Sequence, residues 1–127
     1  MKLLLDTNRL SDALAEDEDV LTVLEHAEEI HVPVIVLGEL RSGFLGGKRA
    51  AQNETRLLWF LAQDGVIAAG LDPAVSHRYA AIHQTLRRRG TPIPTNDLWI
   101  AAMALERGLV LYTRDAHFDQ VPGLART

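Results

Sequence analysis

The feature that most constrains the fold is a short apolar run near the start of the chain, Leu3-Leu4-Leu5, which ends at Asp6. Consecutive leucines without polar alternation are typical of a strand buried on both faces, as in a parallel sheet. A carboxylate at the mouth of such a strand must be hydrogen-bonded, paired or metal-bound, because an isolated buried charge is very costly. Ligands of open parallel sheets bind outside the carboxyl ends of the strands, where Asp6 would lie. Alternatively, Asp6 only starts a turn or caps the next helix.

Strand-like and helix-like runs alternate along the rest of the chain. We predict further strands over 30–36, 66–69 and 109–113, and helices over 10–14, 20–29, 37–44, 48–63, 74–88 and from Thr95 or Asn96 to Gly108. Asp72-Pro73 has the form of a helix N-cap followed by proline at the first helical position. Alternating strands and helices favour a mostly parallel sheet with helices on both faces. We therefore expect an α/β fold, a three-layer α/β/α sandwich, and at 127 residues a single domain.

Charge and composition narrow the class of protein. The formal net charge of −4 argues against a protein that holds nucleic acid by general basicity, although it does not exclude a nuclease. The chain has no cysteine, so it has no disulfide framework and no thiolate metal site. Asp6 interrupts the first apolar run too early for a secretory signal, and no apolar stretch approaches the roughly 18 residues of a membrane helix. We expect a soluble, intracellular protein.

Three further acids fall at strand ends or in the first turns of helices. Glu39 lies in or near the first turn of the helix after the second strand, Asp97 in the first turn of a buried helix, and Asp115 just past the last strand. Each has an ordinary explanation, because carboxylates are favoured near helix N-termini. In an α/β sheet, however, these positions and Asp6 share one edge. Four carboxylates there would repel one another unless a divalent cation neutralised them.

The ligand types indicate which cation such a cluster would hold. Without cysteine or a well-placed histidine, the oxygen ligands favour a hard ion such as Mg²⁺ or Mn²⁺. The usual work of such a site is phosphoryl transfer, in which the metal activates water and stabilises developing charge.

The densest basic cluster is Arg87-Arg88-Arg89, at the end of the predicted helix over 74–88. Cations at a helix C-terminus complement the helix dipole and need no partner. They are also candidates for phosphate contacts with a nucleic acid. Trp59, in the helix over 48–63, is expected in the core or at a dimer surface rather than as a base-stacking platform.

The motifs around the four acids resemble those of a known family. They are Asp6-Thr7-Asn8 after the first strand, Gly38-Glu39-Leu40, the run Asn96-Asp97-Leu98-Trp99-Ile100-Ala101-Ala102, and Thr113-Arg114-Asp115-Ala116-His117-Phe118. In order and spacing they resemble PIN-domain ribonucleases, and most of all the toxins of VapBC-type toxin–antitoxin modules. The resemblance spans nearly the whole chain and implies a single PIN domain over 1–127.

The resemblance implies a metal-dependent endoribonuclease that cleaves RNA loops, of transfer or ribosomal RNA, with metal-activated water. Its site would hold Mg²⁺ or Mn²⁺ with Asp6 and Asp97, with Asp115, and with Glu39 as a ligand or as the group that orients the attacking water. Asn8 and Thr113 match polar positions beside the family site and would hold carboxylates and waters in place. Arg9 stands where an apolar residue is more usual, and would contact substrate or an acidic neighbour.

The resemblance also implies partners. Family members form homodimers, and heterotetramers or larger assemblies with a cognate VapB-type antitoxin, whose C-terminal segment often places a basic side chain near the acidic site. A cytoplasmic setting in a bacterium or archaeon follows, with no membrane partner.

Two other classes are compatible with parts of the sequence. A catalytically silent PIN-like module that binds protein or RNA would be favoured by loss of an acid, yet all four are present. A receiver-type phosphoacceptor domain would need paired acids near the first strand and a lysine after a later one. The only lysines are Lys2 and Lys48.

Overall fold

A four-stranded parallel sheet forms the centre of the computed structural model, which describes residues 1–127. The strands are β1 (Lys2–Leu5), β2 (Glu29–Pro33), β3 (Val66–Ala69) and β4 (Val110–Tyr112). The helices are α1 (Thr7–Leu14), α2 (Glu18–Glu25), α3 (Val34–Leu45), α4 (Ala50–Leu61), α5 (Pro73–Arg89) and α6 (Thr95–Arg107). A 3₁₀ turn over Ala116–Gln120 follows β4.

The strand order is β3-β2-β1-β4, and every pairing is parallel. The chain steps from β1 to β2 to β3 in one direction and then crosses back to β4 on the other side of β1. Because such crossovers are right-handed, the return crossover through α5 and α6 lies on the opposite face of the sheet from α1 to α4. The predicted three-layer α/β/α architecture is confirmed. The strand order reverses between β1 and β4, which is where open sheets bind ligands.

The core explains why these segments form these elements. Leu3, Leu4 and Leu5 are completely buried, as predicted for a strand covered on both faces. In α6 the residues from Ile100 to Ala104 are all buried, so this helix packs into the core along most of its circumference. Gly108 ends α6 in the left-handed conformation that glycine adopts without strain, at φ 63°. Rigid core elements therefore lead directly into the edge where Asp6 and Asp97 lie.

The largest error in the sequence prediction concerns the second strand and the helix after it. The strand predicted over 30–36 ends at Pro33, and its last three predicted residues form the first turn of α3. Val34 to Val36 are β-branched or aliphatic, but Pro33 has φ −62° and ψ 142° and serves as the helix N-cap. Val36 and Leu37 are then buried in the core from the helix. Tertiary packing here overrides β propensity.

Smaller differences occur at helix ends. The predicted caps Thr95 and Asn96 are wrong, because α6 begins at Thr95 with Pro94 as N-cap and no side-chain capping bond. The helix predicted over 20–29 ends at Glu25, since β2 already begins at Glu29. Trp59 is exposed, so the core alternative for it is wrong. The Asp72-Pro73 start of α5 is confirmed, with Asp72 Oδ1 accepting from Val75 N at 3.1 Å.

No helix of the structure has both the length and the apolar character needed to span a membrane.

Candidate active site

Four acidic side chains reach one edge of the sheet from four different elements. Asp6 directly follows β1, Asp115 follows β4, Asp97 lies in the first turn of α6, and Glu39 lies on α3. Glu39 is in the second turn of α3 rather than near its start, because the helix begins earlier than predicted. The negative charge of Asp6 acts on both Glu39 and Asp97, and that of Asp115 acts on Asp97. The structure thus brings all four predicted acids together.

Asp6 is the only buried polar or charged residue, with 5% of its surface exposed. Its Oδ1 accepts a hydrogen bond from the backbone N of Thr7 at 2.8 Å, and so caps α1. Its Oδ2 accepts from the Thr113 hydroxyl at 2.7 Å and from Asn8 Nδ2 at 3.3 Å. The capping alternative for Asp6 is therefore confirmed, and the same side chain also lies at the acidic edge, so the cap does not exclude a functional role. These three hydrogen bonds stabilise its buried charge.

Asn8 and Thr113 link the ends of β1 and β4. While the Thr113 hydroxyl donates to Asp6, it accepts from the backbone N of Asp115 at 3.0 Å. Asn8 Oδ1 accepts from the backbone N of Arg114 at 3.4 Å. These bonds fix the loop that carries Asp115 against the loop that carries Asp6. The positions predicted to support the site have the contacts that such a role needs.

His117 is the residue of the site that sequence reasoning missed. Its Nδ1 lies 3.0 Å from Asp97 Oδ2 and 3.2 Å from Asp115 Oδ1. Its backbone N donates to Asp115 Oδ1 at 2.9 Å, and the neighbouring Phe118 anchors the turn in the core. The expectation that no histidine is well placed is wrong. The spacing Asp115-Ala116-His117 was the available signal, since a capping aspartate turns the next two residues back toward itself.

The negative charge of the four carboxylates at this edge is not neutralised by the chain's own arginines or lysines. Partial burial raises the pKa of Asp97; the hydrogen bond to His117 opposes this, and the charges of Asp6 and Asp115 add to the rise. Burial also raises the pKa of Glu39, against the hydrogen bond that its Oε1 accepts from the Thr7 hydroxyl, with Asp6 and Asp97 again adding. The bond to Asp97 raises the pKa of His117. No arginine or lysine lies within 4.0 Å of the four carboxylates.

The donor set fits a divalent cation. Ligand atoms of Asp97, Asp115 and His117 lie within 4.8 Å of one another, and the His117 nitrogen lies between the two carboxylates, where positive charge is favoured. Carboxylate oxygens are the ligands that Mg²⁺ and Mn²⁺ prefer. Burial is the largest cause of the raised pKa values of Asp97 and Glu39, and the neighbouring carboxylates add a repulsion that such an ion would remove.

The arginines predicted to contact RNA have different surroundings. Arg9 has an acidic neighbour, Asp12, at 3.5 Å, and its guanidinium lies 4.6 Å from the centre of the Tyr112 ring. It is therefore packed against the protein rather than open to a substrate. Arg87, Arg88 and Arg89 are exposed at the C-terminus of α5 and form no ion pair, so both readings of this cluster stay open.

Comparison with known proteins identifies the family. The family model described as PIN domain matches residues 3–124. The chain belongs to the PIN-domain family. It is 34% identical over 91 residues to ribonuclease VapC4 of Mycobacterium tuberculosis, covering 72% of this chain and 70% of that protein. It is 30% identical to ribonuclease VapC2 of Rickettsia felis, covering 98% of this chain and 95% of that protein.

Solved structures agree with the sequence relatives. VapBC2 from Rickettsia felis, bound to a DNA fragment from its promoter, has a TM-score of 0.89 at 27% identity and covers 100% of this chain and 98% of that chain. DNA-bound VapBC from Salmonella typhimurium has a TM-score of 0.91 at 25% identity, with 100% and 97% covered. The resemblance to VapC-type PIN-domain proteins that the motifs indicate is confirmed.

Proposed function

We propose that this chain is a metal-dependent endoribonuclease, the toxin of a VapBC-type toxin–antitoxin module, and that it cleaves loops of transfer or ribosomal RNA. The observation that carries the proposal is the acidic edge: four carboxylates from four elements, none paired with an arginine or lysine. Relatives named ribonuclease support the substrate class.

Asp6, Asp97 and Asp115 would hold Mg²⁺ or Mn²⁺, with Glu39 as a further ligand or as the group that orients the attacking water. A bound divalent ion supplies a water of lowered pKa and stabilises charge that develops on the phosphate. The chain itself positions the carboxylates. The Thr113 hydroxyl donates a hydrogen bond to Asp6 and accepts one from the backbone N of Asp115. Glu39 faces Thr7 and is raised in pKa, which suits a group that accepts a proton from water.

We also infer the partners. The solved neighbours are toxin–antitoxin complexes, which supports a cognate VapB-type antitoxin for this chain. A negative net charge suits a chain whose antitoxin, rather than the toxin, binds DNA. A homodimer that joins antitoxin in a heterotetramer or larger assembly, in the cytoplasm, completes the proposal.

The test is cleavage of total cellular RNA by the purified chain, freed of any partner, in Mg²⁺ or Mn²⁺. Asp6→Asn keeps the size of the side chain and its capping oxygen but removes the charge. Asp72→Asn is the matched control, because Asp72 also caps a helix and pairs with Arg107, at the end of α6 opposite to Asp97. We expect cuts at a few discrete loops by the wild type and Asp72→Asn, but not by Asp6→Asn or in EDTA.

Two outcomes would overturn the proposal in different ways. Cleavage that persists in Asp6→Asn and EDTA would exclude the acidic edge as its source. Intact RNA, together with equal toxicity of wild type and Asp6→Asn on expression in a bacterial host, would favour the catalytically silent binding module.

A further inference from the structure

Beside the acidic edge lies a group of two arginines that share a single carboxylate. Asp12 Oδ2 is 2.9 Å from Arg114 Nη1 and 3.5 Å from Arg9 Nη1. The other arginine pairs are one to one: Arg41 with Glu54, Arg78 with Glu106, Arg107 with Asp72 and Arg126 with Asp119. The Arg9–Asp12–Arg114 group is therefore the one place where paired arginines exceed their carboxylates, and it carries a surplus positive charge.

The two arginines differ in how firmly they are held. The Arg9 guanidinium lies over the Tyr112 ring, and its Nε is enclosed without a partner. Arg114 is open, with 58% of its side chain exposed. A surface ion pair such as Arg114–Asp12 contributes little to stability, so an anionic ligand can displace it. Asp12 would then keep Arg9 as its partner, and no charge would be left unpaired.

Arg114 also has the right neighbours in the chain. It stands between Thr113, which donates to Asp6, and Asp115. Its backbone N donates to Asn8, which in turn donates to Asp6. The backbone from which its side chain extends is thus fixed to the same bonds that hold the site. Asp12, on α1, pairs with the guanidinium, which forms no ion pair with any of the four carboxylates.

The surface next to Arg114 has room for a ligand. A shallow cleft of about 560 Å³ is lined by Thr113, Arg114 and Asp115 and by the ion pair of Arg126 with Asp119, among others. This volume is within the range of roughly 300–1,000 Å³ that small-molecule sites occupy. Because Arg114 and Asp115 both line this cleft, a phosphate bound by Arg114 would lie next to a phosphate bound at Asp115.

We propose that Arg114 binds a phosphate of the RNA strand adjacent to the one that is cleaved, and that Asp12 is the positioning residue that holds its guanidinium ready. The assignment rests on the proposed ribonuclease function and gives it a substrate contact that composition and motif did not indicate. A guanidinium suits this task, because its planar donors bind phosphate oxygens in pairs.

The test measures kcat and KM for cleavage of a single-stranded RNA oligonucleotide at several salt concentrations. We expect Arg114→Ala to raise KM about tenfold with little change in kcat, as for the loss of one charged phosphate contact. The slope of log kcat/KM against log salt should become shallower by about 0.7, the value for one phosphate contact on a single strand. Arg114→Lys should restore the slope but only part of the affinity, because lysine lacks the planar donors.

Arg78→Ala is the matched control, since Arg78 is a half-exposed arginine paired with Glu106 away from the acidic edge. It should leave KM and the salt slope unchanged. If the wild type cleaves RNA and Arg114→Ala matches Arg78→Ala in both quantities, the phosphate assignment is wrong while the ribonuclease proposal stands. If the wild type does not cleave RNA at all, both are wrong. Thermal unfolding of each variant identifies a change that comes from misfolding.

Discussion

Acidic residues at the amino ends of the strands have cationic partners, whereas the acidic residues at the carboxyl ends largely lack them. At the amino ends, Glu28 pairs with the N-terminal ammonium at 3.0 Å, and Glu29 pairs with His31 at 2.8 Å and Lys2 at 3.8 Å. At the carboxyl ends, the four site carboxylates have one histidine among them and no lysine or arginine. Acids thus lie at both ends, but only the two at the amino ends are paired with cations of the chain itself.

The pKa directions follow the same division. The hydrogen bond to His31 lowers the pKa of Glu29, because its partner stabilises the ionised form. Burial and neighbouring carboxylates raise the pKa of Asp97 and of Glu39. An acid whose pKa is lowered in the folded state contributes to the stability of the fold, whereas an acid whose pKa is raised by burial and by neighbouring carboxylates costs stability and is a candidate for a functional site. The comparison assigns structural ion pairs to the amino ends and agrees with the metal site proposed for the carboxyl ends.

The largest expected effect is on RNA cleavage, when the loss of one carboxylate charge at the carboxyl ends is compared with the loss of one at the amino ends. Asp97→Asn should lower RNA cleavage more than about 100-fold, since loss of a ligand should exceed the 10–100-fold typical of outer-shell changes. Glu28→Gln removes an equivalent charge at the amino end and should leave cleavage unchanged. The measurement is the initial rate on one RNA in Mg²⁺. Equal losses in the two variants would remove the distinction between the ends.

A smaller loss of cleavage is expected for a residue that holds the carboxylates in place without being a metal ligand itself. Thr113→Val keeps the shape of the side chain but removes the hydroxyl between Asp6 and the Asp115 backbone. Cleavage should fall about 10–100-fold, with a parallel loss of metal affinity. Thr113→Ser should retain most of both, because it keeps the hydroxyl. If Thr113→Val and Thr113→Ser behave alike, the hydroxyl does not position the carboxylates.

An acid with a purely structural role should give the reverse pattern. Asp17 caps α2 by accepting from Val20 N at 3.1 Å, outside the acidic edge. Asp17→Ala should cost about 1 kcal/mol of folding stability, the usual value of a helix cap, without loss of RNA cleavage. Chemical denaturation measures the first quantity and the cleavage assay the second. A large loss of cleavage at unchanged stability would contradict the division of roles.

The smallest effect concerns pH and the amino-end pairs. Because the pKa of Glu29 is lowered in the folded state, its contribution to stability is present above the ordinary glutamate pKa and is lost as pH falls through the folded pKa. Glu29→Gln should therefore be slightly less stable than the wild type at neutral pH, and the difference should shrink on acidification. Melting temperatures across a pH series test this, and a difference that grows with acid would contradict it.

The parts of the fold that local pattern determines could be predicted from the sequence. β1 and β3 lie where their apolar runs lie, and the proline-marked start of α5 is correct. The sequence predicts a strand over Val34–Val36, because β-branched residues favour strands, but core packing places this run in α3. Because α3 begins earlier than predicted, Glu39 lies in its second turn rather than its first. It still lies at the acidic edge.

Site residues that directly follow a strand could be predicted from the sequence. Contacts between segments that are distant along the chain could not. Asp6 and Asp115 follow strands and were found from that position. The contact of Asp12 with Arg114 joins residues 102 positions apart, and the contact of His117 with Asp97 joins residues 20 apart. The spacing of Asp115 and His117 predicts only that these two residues are close, and no periodicity or spacing rule encodes the contact of His117 with Asp97 or of Asp12 with Arg114.

Direct binding of a divalent ion tests the central claim most closely, because the account assigns the unbalanced carboxylates to a metal. Isothermal titration of Mn²⁺ into the wild type, Asp97→Asn and the amino-end control Glu29→Gln would measure it. We predict saturable binding by the wild type and Glu29→Gln, and affinity weakened by more than about 100-fold in Asp97→Asn, again exceeding an outer-shell change. Absence of binding to the wild type, or equal affinity in all three proteins, would contradict the account.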